Sequence, residues 1–231
     1  MRKGISFFSG CGGSSLGYTL AGVKMIYANE FIPKASETYS ANFPNTYMDT
    51  RDIRKIQPQE ILDIIKLKKG ELDFLDGSPP CASFSSAGKR EKGWGKVKSY
   101  SDKAQRTDDL FYEYIRMVKN IEPKIFIAEN VSGLIMGKAK GYFNIFFREF
   151  SKLNYNVKAS LLDASYLGVP QMRKRVFIIG VRKDLDKQPV FPKKQKRLIV
   201  KDVYDRNYPI EDEAKKLSPC YIPRLKLLKQ G

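Results

Sequence analysis

Short apolar runs alternate with amphipathic stretches along most of the chain. Residues 4–8 are apolar and aromatic, run into a glycine-rich turn, and are followed by helical spacing over 16–23, an order typical of strand, turn and helix. The same alternation predicts further strands over 24–28, 72–75, 124–128, 157–162 and 175–181, and further helices over 33–42, 58–67, 109–121 and 142–153.

Units of this kind predict an α/β fold with a mostly parallel sheet and helices on both faces. In such sheets, ligands bind at the carboxyl ends of the strands. The glycine turn, Glu30, the Cys81 loop and Glu129 each come just after a predicted strand, and Asp52 lies at the corresponding point of the third strand–helix unit. We therefore expect them to converge on one edge of the sheet.

Two segments depart from this alternation. Residues 89–106 are polar, basic and glycine-containing, which indicates a mobile loop. From residue 188 onward the pattern loosens into prolines and lysines, with a compositional boundary near Asp186. The sequence therefore predicts one cofactor-binding domain over 1–186 and a basic tail over 187–231.

The charge balance is strongly positive, with 42 Lys and Arg against 25 Asp and Glu and a net charge of +17. A polyanion such as nucleic acid is a natural partner, and a generic lysine-rich surface explains the charge equally well. The chain contains no apolar run of the roughly 20 residues that a membrane helix needs, so we expect a soluble, cytoplasmic protein without membrane contact.

The residue inventory restricts the possible chemistry. The chain contains no histidine, which excludes Cys-His dyads, Ser-His-Asp triads and nearly every catalytic zinc site. Cys11, Cys81 and Cys220 are far apart and form no CxxC pair, so the sequence supports neither a disulfide framework nor a structural zinc site. The chemistry is expected to use cysteine, carboxylates, basic side chains or an organic cofactor.

The segment 8–13, with Glu30 about 20 residues further on at the end of the second predicted strand, is typical of nucleoside binding. Glycines let the backbone approach a ligand, and the Glu30 carboxylate can accept hydrogen bonds from both ribose hydroxyls. Phe31 can stack on an adenine and Asp52 can hold its amino group, although Phe31 also suits a core position and Asp52 a helix cap. The turn alone does not distinguish NAD from S-adenosylmethionine.

Pro79-Pro80-Cys81 is a sharper signal, because two prolines fix the approach of the loop and hold a thiol at the end of a strand. A lone cysteine is more often buried and inert. Here Lys89 and Arg90 are close in sequence, and positive charge lowers a thiol pKa and favours the thiolate. This pattern predicts a nucleophile.

Two further segments are weaker signals when taken alone. Glu129 follows an apolar strand, so its carboxyl is expected to be partly desolvated with a raised pKa; a helix cap or a surface acid are the alternatives. Gln171, Arg173 and Arg175 alternate into a predicted strand and are expected on one face. Such a row suits a phosphate clamp, an interior anchor or a basic edge strand.

Taken together, these segments resemble the DNA (cytosine-5) methyltransferase family over about residues 3–183. The matching motifs, in chain order, are the glycine turn from Phe8, Asn29-Glu30, Asp52-Ile53, Pro79-Pro80-Cys81, Asp109-Leu110-Phe111, Glu129-Asn130-Val131 and Gln171-x-Arg173-x-Arg175.

The resemblance implies a Rossmann-like methyltransferase fold and transfer of a methyl group from S-adenosylmethionine to carbon 5 of cytosine in duplex DNA, in bacterial or phage restriction-modification. It implies that the Cys81 thiolate adds to a flipped-out base while protonated Glu129 holds the ring. Arg175 would then steady the target nucleotide, and Arg173 would support the site or bind a phosphate. The residues that it implies for the cofactor are Phe8, Gly10, Gly12, Gly13, Glu30, Phe31, Asp52, Ile53, Pro79 and Leu110.

The resemblance ends near Asp186, because the family's target-recognition domain, ninth motif and C-terminal helix are not recognisable beyond it. The tail over 187–231 is expected to begin a recognition region or to dock a partner. The chain would then be the larger half of a split enzyme or a truncated copy, showing little turnover until a second chain is added. A transfer RNA methyltransferase, a non-catalytic DNA-binding subunit and, on the glycine turn alone, an NAD-dependent oxidoreductase are the competing hypotheses.

Overall fold

A computed structural model of the chain describes residues 1–80, 98–100, 103–105, 109–136 and 139–203. Its strands are β1 (Arg2–Phe7), β2 (Val23–Asn29), β3 (Tyr47–Asp49), β4 (Phe74–Gly77), β5 (Lys98–Tyr100), β6 (Lys103–Gln105), β7 (Ile125–Val131), β8 (Tyr155–Asp163) and β9 (Lys174–Arg182). Its helices are α1 (Gly13–Leu20), α2 (Pro33–Asn42), α3 (Pro58–Ile65), α4 (Leu110–Ile121), α5 (Ala139–Ser151) and α6 (Val200–Val203). No helix in these ranges is long and apolar enough to cross a membrane.

Seven of the strands form one sheet in the order β3-β2-β1-β4-β7-β9-β8. The neighbours from β3 to β7 are parallel, whereas β9 runs antiparallel to both β7 and β8. The predicted mostly parallel sheet is therefore confirmed. The chain moves outward from β1 to β3 and returns to β4 on the other side of β1, which makes the β1–β4 junction a topological switch point.

Strand β4 shows that helices cover both faces of the sheet. The ring of Tyr18 in α1 lies 4.4 Å from the ring of Phe74, on one face. On the other face, Tyr114 of α4 lies so close to Gly77 that a Cβ there would be 2.2 Å from its ring. Since successive strand residues point to opposite faces, α1 and α4 lie on opposite sides of the sheet, as the sequence predicts.

The main core lies on the α4 side, where apolar residues at helical spacing in α4 pack against α5 and β7. Phe111 stacks on Phe146 with ring centroids 4.0 Å apart, and Phe126 stacks on Phe150 at 4.6 Å. All four side chains are buried. Each such burial contributes about 1.5–3 kcal/mol, so this aromatic cluster fixes β7, the strand that carries Glu129.

The predicted bounds of the first helix and of the strand before Cys81 are wrong. The helix predicted over 16–23 begins at Gly13 and ends at Leu20, because Gly22 adopts a positive φ of 84° and the chain turns into β2 at Val23. The strand predicted over 72–75 is Phe74–Gly77, which puts Asp76 inside the sheet.

The mobile loop predicted over 89–106 is also partly wrong. Residues 98–100 and 103–105 pair as the antiparallel strands β5 and β6, so backbone hydrogen bonds order part of this polar segment. The rest of that segment lies outside the described residues.

The first part of the predicted tail contacts the sheet domain. The backbone N–H of Gln195 donates to the carbonyl of Tyr166 at 2.8 Å, and that of Leu198 donates to Ser165 at 3.0 Å. The side chain of Asn156 in β8 donates to the carbonyl of Lys187. The division into 1–186 and 187–231 stays a prediction, but residues 187–198 are bound to the domain rather than separate from it.

We expect Gly180→Ala to lower the free energy of unfolding by about 1–3 kcal/mol, the usual cost of overpacking a core. A Cβ at Gly180 would lie 2.0 Å from the ring of Phe126, which is fully buried. Gly141→Ala in α5 is the control, because a Cβ there meets nothing within 4 Å. Urea unfolding of the two variants and the wild type measures the difference; equal stability of all three would contradict this packing.

Candidate active site

The glycine turn after β1 requires left-handed backbone conformations. Gly10 has a φ of 55° and Gly12 a φ of 93°, both disfavoured for residues with a side chain. A Cβ at Gly12 would also lie 2.5 Å from the ring of Phe43. The sequence therefore folds here into a tight turn that begins α1 at Gly13 and leaves open space above the end of β1.

Glu30 ties this turn to the end of β2. Its buried carboxylate accepts hydrogen bonds from the N–H of Gly10 and the N–H of Ile32, each at 2.8 Å and each to a different oxygen. A carboxylate offers about four acceptor positions, so each oxygen keeps a free lone pair. Glu30 can thus hold the turn and still accept two further hydroxyl donors.

A pocket of about 200 Å³ opens between the carboxyl ends of β1, β2 and β4, at the switch point. Four of the predicted cofactor residues line it, namely Phe8, Glu30, Phe31 and Ile53. The lining also includes residues that the predicted set omitted, namely Asn29, Ile32, Ser78 and Pro80. All four stand beside predicted residues within the same motifs, and that adjacency was the signal available in the sequence.

Six predicted cofactor residues lie outside this lining, namely Gly10, Gly12, Gly13, Asp52, Pro79 and Leu110. Leu110 is fully buried in the main core. Asp52 caps the 3₁₀ turn Ile53–Lys55 by accepting from the N–H of Arg54 at 3.0 Å, so the helix-cap interpretation is confirmed. The cofactor roles of these six residues stay predictions.

The segment that precedes the predicted nucleophile is held from both sides. The hydroxyl of Ser78 donates to the carbonyl of Phe8 at 3.0 Å, and the side-chain amide of Asn130 donates to the carbonyl of Pro79 at 3.0 Å. Asn130 is buried, and the predicted site residues did not include it, although it follows Glu129 directly. Cys81 itself lies outside the described residues.

Glu129 forms an ion pair with Arg175, with 2.9 Å between Oε1 and Nε. Burial raises the pKa of Glu129, while the guanidiniums of Arg175 and Arg173 oppose that shift. The predicted rise in the pKa is therefore confirmed. The carboxylate lies within β7 rather than after it, because β7 continues to Val131 along its partner β9.

The predicted common strand face of Gln171, Arg173 and Arg175 is wrong. Strand β9 begins only at Lys174, and Arg175 alone of the three lies in it. The N–H of Gln171 donates to the carbonyl of Val169, which turns the backbone before the strand begins. Arg173 is exposed, yet it remains near enough to Glu129 to influence its pKa.

Asp76 lies next to the glycine turn, and the sequence did not predict it as part of the site. It is buried in β4 and accepts hydrogen bonds from the hydroxyls of Ser6 and Ser14, both at 3.0 Å, and of Tyr18 at 2.9 Å. Burial raises its pKa to about 6, and the negative charge of Glu129 adds to that rise. An acid inside an otherwise apolar strand was the available signal. Its hydrogen bonds join β1, β4 and α1 beneath the glycine turn.

We expect Asp76→Asn to gain stability relative to the wild type as pH rises. The pKa of Asp76 is about 6 in the folded state against an ordinary 3.8, so the folded state binds the proton more tightly. Wild-type stability therefore falls between about pH 4 and pH 6, by about 3 kcal/mol at about 1.4 kcal/mol per pKa unit. Urea unfolding at pH 4.5 and 7 measures the change in the difference between the two proteins.

Asp73→Asn is the matched control, because the Lys124 ammonium 2.7 Å away and the N–H of Lys3 hold the pKa of Asp73 below its ordinary value. Below about pH 4 this variant should lose stability relative to the wild type as pH rises, the opposite sign, and between pH 4.5 and 7 its difference from the wild type should stay nearly constant. If the stability of Asp76→Asn and of the wild type changed equally with pH, the raised pKa of Asp76 in the folded state would be contradicted.

The chain is a Rossmann-like α/β domain with a pocket at its switch point and a carboxylate–guanidinium pair at the same edge of the sheet. A family model described as C-5 cytosine-specific DNA methylase matches residues 2–230. The chain belongs to this family, which confirms the resemblance drawn from its motifs.

Relatives and solved structures agree with this assignment. The chain is 39% identical over 191 residues to the Type II methyltransferase M.NgoPII of Neisseria gonorrhoeae, covering 83% of this chain and 51% of that protein. It is 36% identical over 189 residues to the Type II methyltransferase M.AquIA of Picosynechococcus sp., covering 78% and 72%. A crystal structure of a prophage-encoded E. coli protein, assigned as a DNA modification methyltransferase, matches at 29% identity with a TM-score of 0.70, covering 92% of this chain and 56% of that one.

These comparisons confirm the Rossmann-like methyltransferase fold. They also show that the chain spans about half the length of M.NgoPII and of the E. coli protein.

Proposed function

We propose that the chain transfers a methyl group from S-adenosylmethionine to carbon 5 of cytosine in duplex DNA. The observation that carries the proposal is the convergence of three parts at one edge of the sheet. These are the nucleoside-sized pocket, the anchored Ser78-Pro79-Pro80 segment leading to Cys81, and the half-buried Glu129 paired with Arg175.

The pocket residues fit the adenosine part of the cofactor. Glu30 keeps free acceptor positions for ribose hydroxyls, and Phe31 and Ile53 offer apolar surface for a purine. A volume of about 200 Å³ is below the range of roughly 300–1,000 Å³ for whole drug-sized ligands, so these residues would enclose part of the molecule. When bound there, the cofactor supplies a methyl group on a positively charged sulfur.

The protein's own residues act on the cytosine ring. The Cys81 thiolate forms a bond to carbon 6, while the proton of Glu129 forms a hydrogen bond to ring nitrogen 3 and offsets the negative charge that develops there. Carbon 5 thereby becomes nucleophilic and accepts the methyl group. Water then takes the proton from carbon 5, and the electron pair left behind expels Cys81 as thiolate and restores the aromatic ring.

Arg175 and the partial burial of Glu129 act in opposite directions on the same carboxyl. Burial favours the protonated form that can donate to the ring, whereas the guanidinium favours the carboxylate. The ion pair also fixes the orientation of the carboxyl group. In this proposal, Arg175 steadies the target nucleotide and exposed Arg173 binds a phosphate.

The target base must leave the duplex to reach this edge, which costs a few kcal/mol. Attraction between phosphates and a protein of net charge +17 helps to offset that cost.

DNA is the better-supported substrate, because the curated relatives carry the name Type II methyltransferase and the matching family model is that of a DNA methylase. That name also supports a role in restriction-modification. Transfer RNA methylation and non-catalytic DNA binding have less support, and an NAD-dependent oxidoreductase does not agree with the family. The comparisons give no support to the predicted second protein chain.

We expect the wild type to form a covalent complex, stable to denaturation, with duplex DNA carrying 5-fluorocytosine at the target, because fluorine at carbon 5 blocks release of the thiol. Cys81→Ser should form none, since a serine hydroxyl is a far weaker nucleophile than a thiolate. Gel shift under denaturing conditions, with S-adenosylmethionine present, measures the adduct.

Cys220→Ser is the matched control and should react as the wild type does. Methyl transfer from tritiated cofactor to duplex DNA and to transfer RNA, measured for the wild type and both cysteine variants, distinguishes the two substrates. Failure of the wild type to label or trap duplex DNA would count against the proposal.

We expect Glu30→Gln to weaken S-adenosylmethionine binding by about tenfold, or roughly 1.4 kcal/mol. The amide loses one acceptor, so it cannot hold the N–H of both Gly10 and Ile32 and still accept ribose hydroxyls. Calorimetric titration with the cofactor measures this loss. Glu37→Gln, an exposed change in α2, should bind as the wild type does, and equal affinities for all three proteins would refute the ribose role.

A further inference from the structure

Four basic side chains occur together over residues 193–197, namely Lys193, Lys194, Lys196 and Arg197. All four are exposed. Over the surrounding segment 187–203, six basic residues stand against a single acid, Asp202. We refer to residues 193–197 as the basic strap.

The basic strap is held against the sheet domain by its backbone. The N–H of Gln195 and the N–H of Leu198 donate to the carbonyls of Tyr166 and Ser165 at 2.8 and 3.0 Å. The ammonium of Lys194 lies 5.5 Å from the centre of the Tyr166 ring, within the range of a cation–π contact. These contacts fix the position of the strap while leaving its charged groups in solvent.

The strap lies at the same edge of the sheet as the candidate active site. The 3₁₀ turn Ala164–Tyr166, to which it is bonded, directly follows the end of β8. There Asp163 pairs with Lys174 at the start of β9, and one residue further on Arg175 pairs with Val131 at the end of β7. The strap is therefore fixed to the rim that carries Glu129.

Asp163 is an acid close enough to the strap to interact electrostatically with Arg197. Its carboxylate already accepts the N–H and the hydroxyl of Ser165, at 3.0 and 2.8 Å. These hydrogen bonds from Ser165, with smaller contributions from Lys174 and Arg197, hold the pKa of Asp163 below its ordinary value. Within the described segment 187–203, six basic residues against one acid leave the strap with an excess of positive charge.

We propose that the basic strap binds the phosphate backbone of duplex DNA alongside the target base. This inference rests on the proposed function, which requires a duplex at this edge. Five residues span at most about 17 Å. A DNA strand carries one phosphate per roughly 3.4 Å of axis, so the density of charge on the strap matches that of the strand. Exposed Arg173 and Lys174 continue the basic surface towards Glu129.

The first experiment compares two variants with the same loss of charge. The strap variant is K193Q/K194Q/K196Q/R197Q. The control variant is K3Q/K24Q/K68Q/K119Q, whose lysines are exposed and lie towards the amino ends of the parallel strands, at the opposite edge. Fluorescence anisotropy with a labelled duplex gives the affinity of each protein over a range of salt concentrations.

We expect the strap variant to bind the duplex at least tenfold more weakly at low salt. The slope of log affinity against log salt should fall by about 0.9 for each phosphate contact removed. The control variant should stay within about threefold of the wild type. Equal losses in the two variants, or a wild type without salt-dependent binding to the duplex, overturn the proposal.

A second comparison tests whether the strap acts through its fixed position. Gln195→Pro keeps all four charges but removes the N–H that donates to Tyr166. Gln195→Ala removes the same side chain and keeps that N–H. We expect the proline variant to bind the duplex at least threefold more weakly than the alanine variant, and equal affinities would show that the strap does not act as a fixed surface.

The outcomes separate this inference from the proposed function. Anisotropy requires no methyl transfer, so a strap variant that binds like the wild type, while the wild type still traps 5-fluorocytosine DNA, refutes the strap alone. If neither the wild type nor any variant traps 5-fluorocytosine DNA, the proposed function is refuted. The salt dependence of duplex binding then still tests the strap. A strap variant that loses affinity for transfer RNA but not for the duplex also overturns the proposal.

Discussion

The site depends on two hydrogen bonds that fix the chain where β4 ends. Prolines have no N–H, so Pro79 and Pro80 cannot continue the pairing of β4 with its neighbours. The hydroxyl of Ser78 bonded to Phe8, and the amide of Asn130 bonded to the carbonyl of Pro79, take over that role. Since Phe8 lines the pocket and Asn130 adjoins Glu129, these bonds hold the pocket, the path to the proposed nucleophile and the carboxyl group in one arrangement.

Two acids on the same side of the sheet both have raised pKa values, for the same physical reason and with different partners. Asp76 is buried among three hydroxyls and contacts no cation within the described residues, whereas Glu129 is half-buried and paired with Arg175. Burial disfavours the carboxylate form in both. The proposed chemistry uses this for Glu129. Burial of the Asp76 carboxylate costs stability near neutral pH. The hydrogen bonds that this carboxylate accepts hold α1 against β1 and β4.

Part of the positive charge of the protein is concentrated at one edge of the sheet. A net charge of +17 is compatible with many partners, but the basic strap and the exposed Arg173 and Lys174 lie at the carboxyl edge of the sheet. In the proposed function, phosphates held there would bring a duplex to the edge of the sheet where a flipped base is proposed to meet Glu129. In this proposal the strap directs the general attraction between the chain and DNA to the edge that carries the site.

Short-range spacing in the amino-acid sequence was enough to predict the alternation of strands and helices, the glycine turn, the position of Glu30 after β2 and the family. The Glu129–Arg175 pair could not be predicted in this way, because it depends on the antiparallel register of β7 and β9 in the folded chain. The Asp76 hydrogen bonds, the Asn130 anchor and the strap likewise join residues more than 25 positions apart in most contacts. Periodicity describes which face of one element is apolar, and it carries no information on which atoms of distant elements meet. The start of β9 shows the limit, because pairing rather than the alternation of Gln171, Arg173 and Arg175 sets where that strand begins.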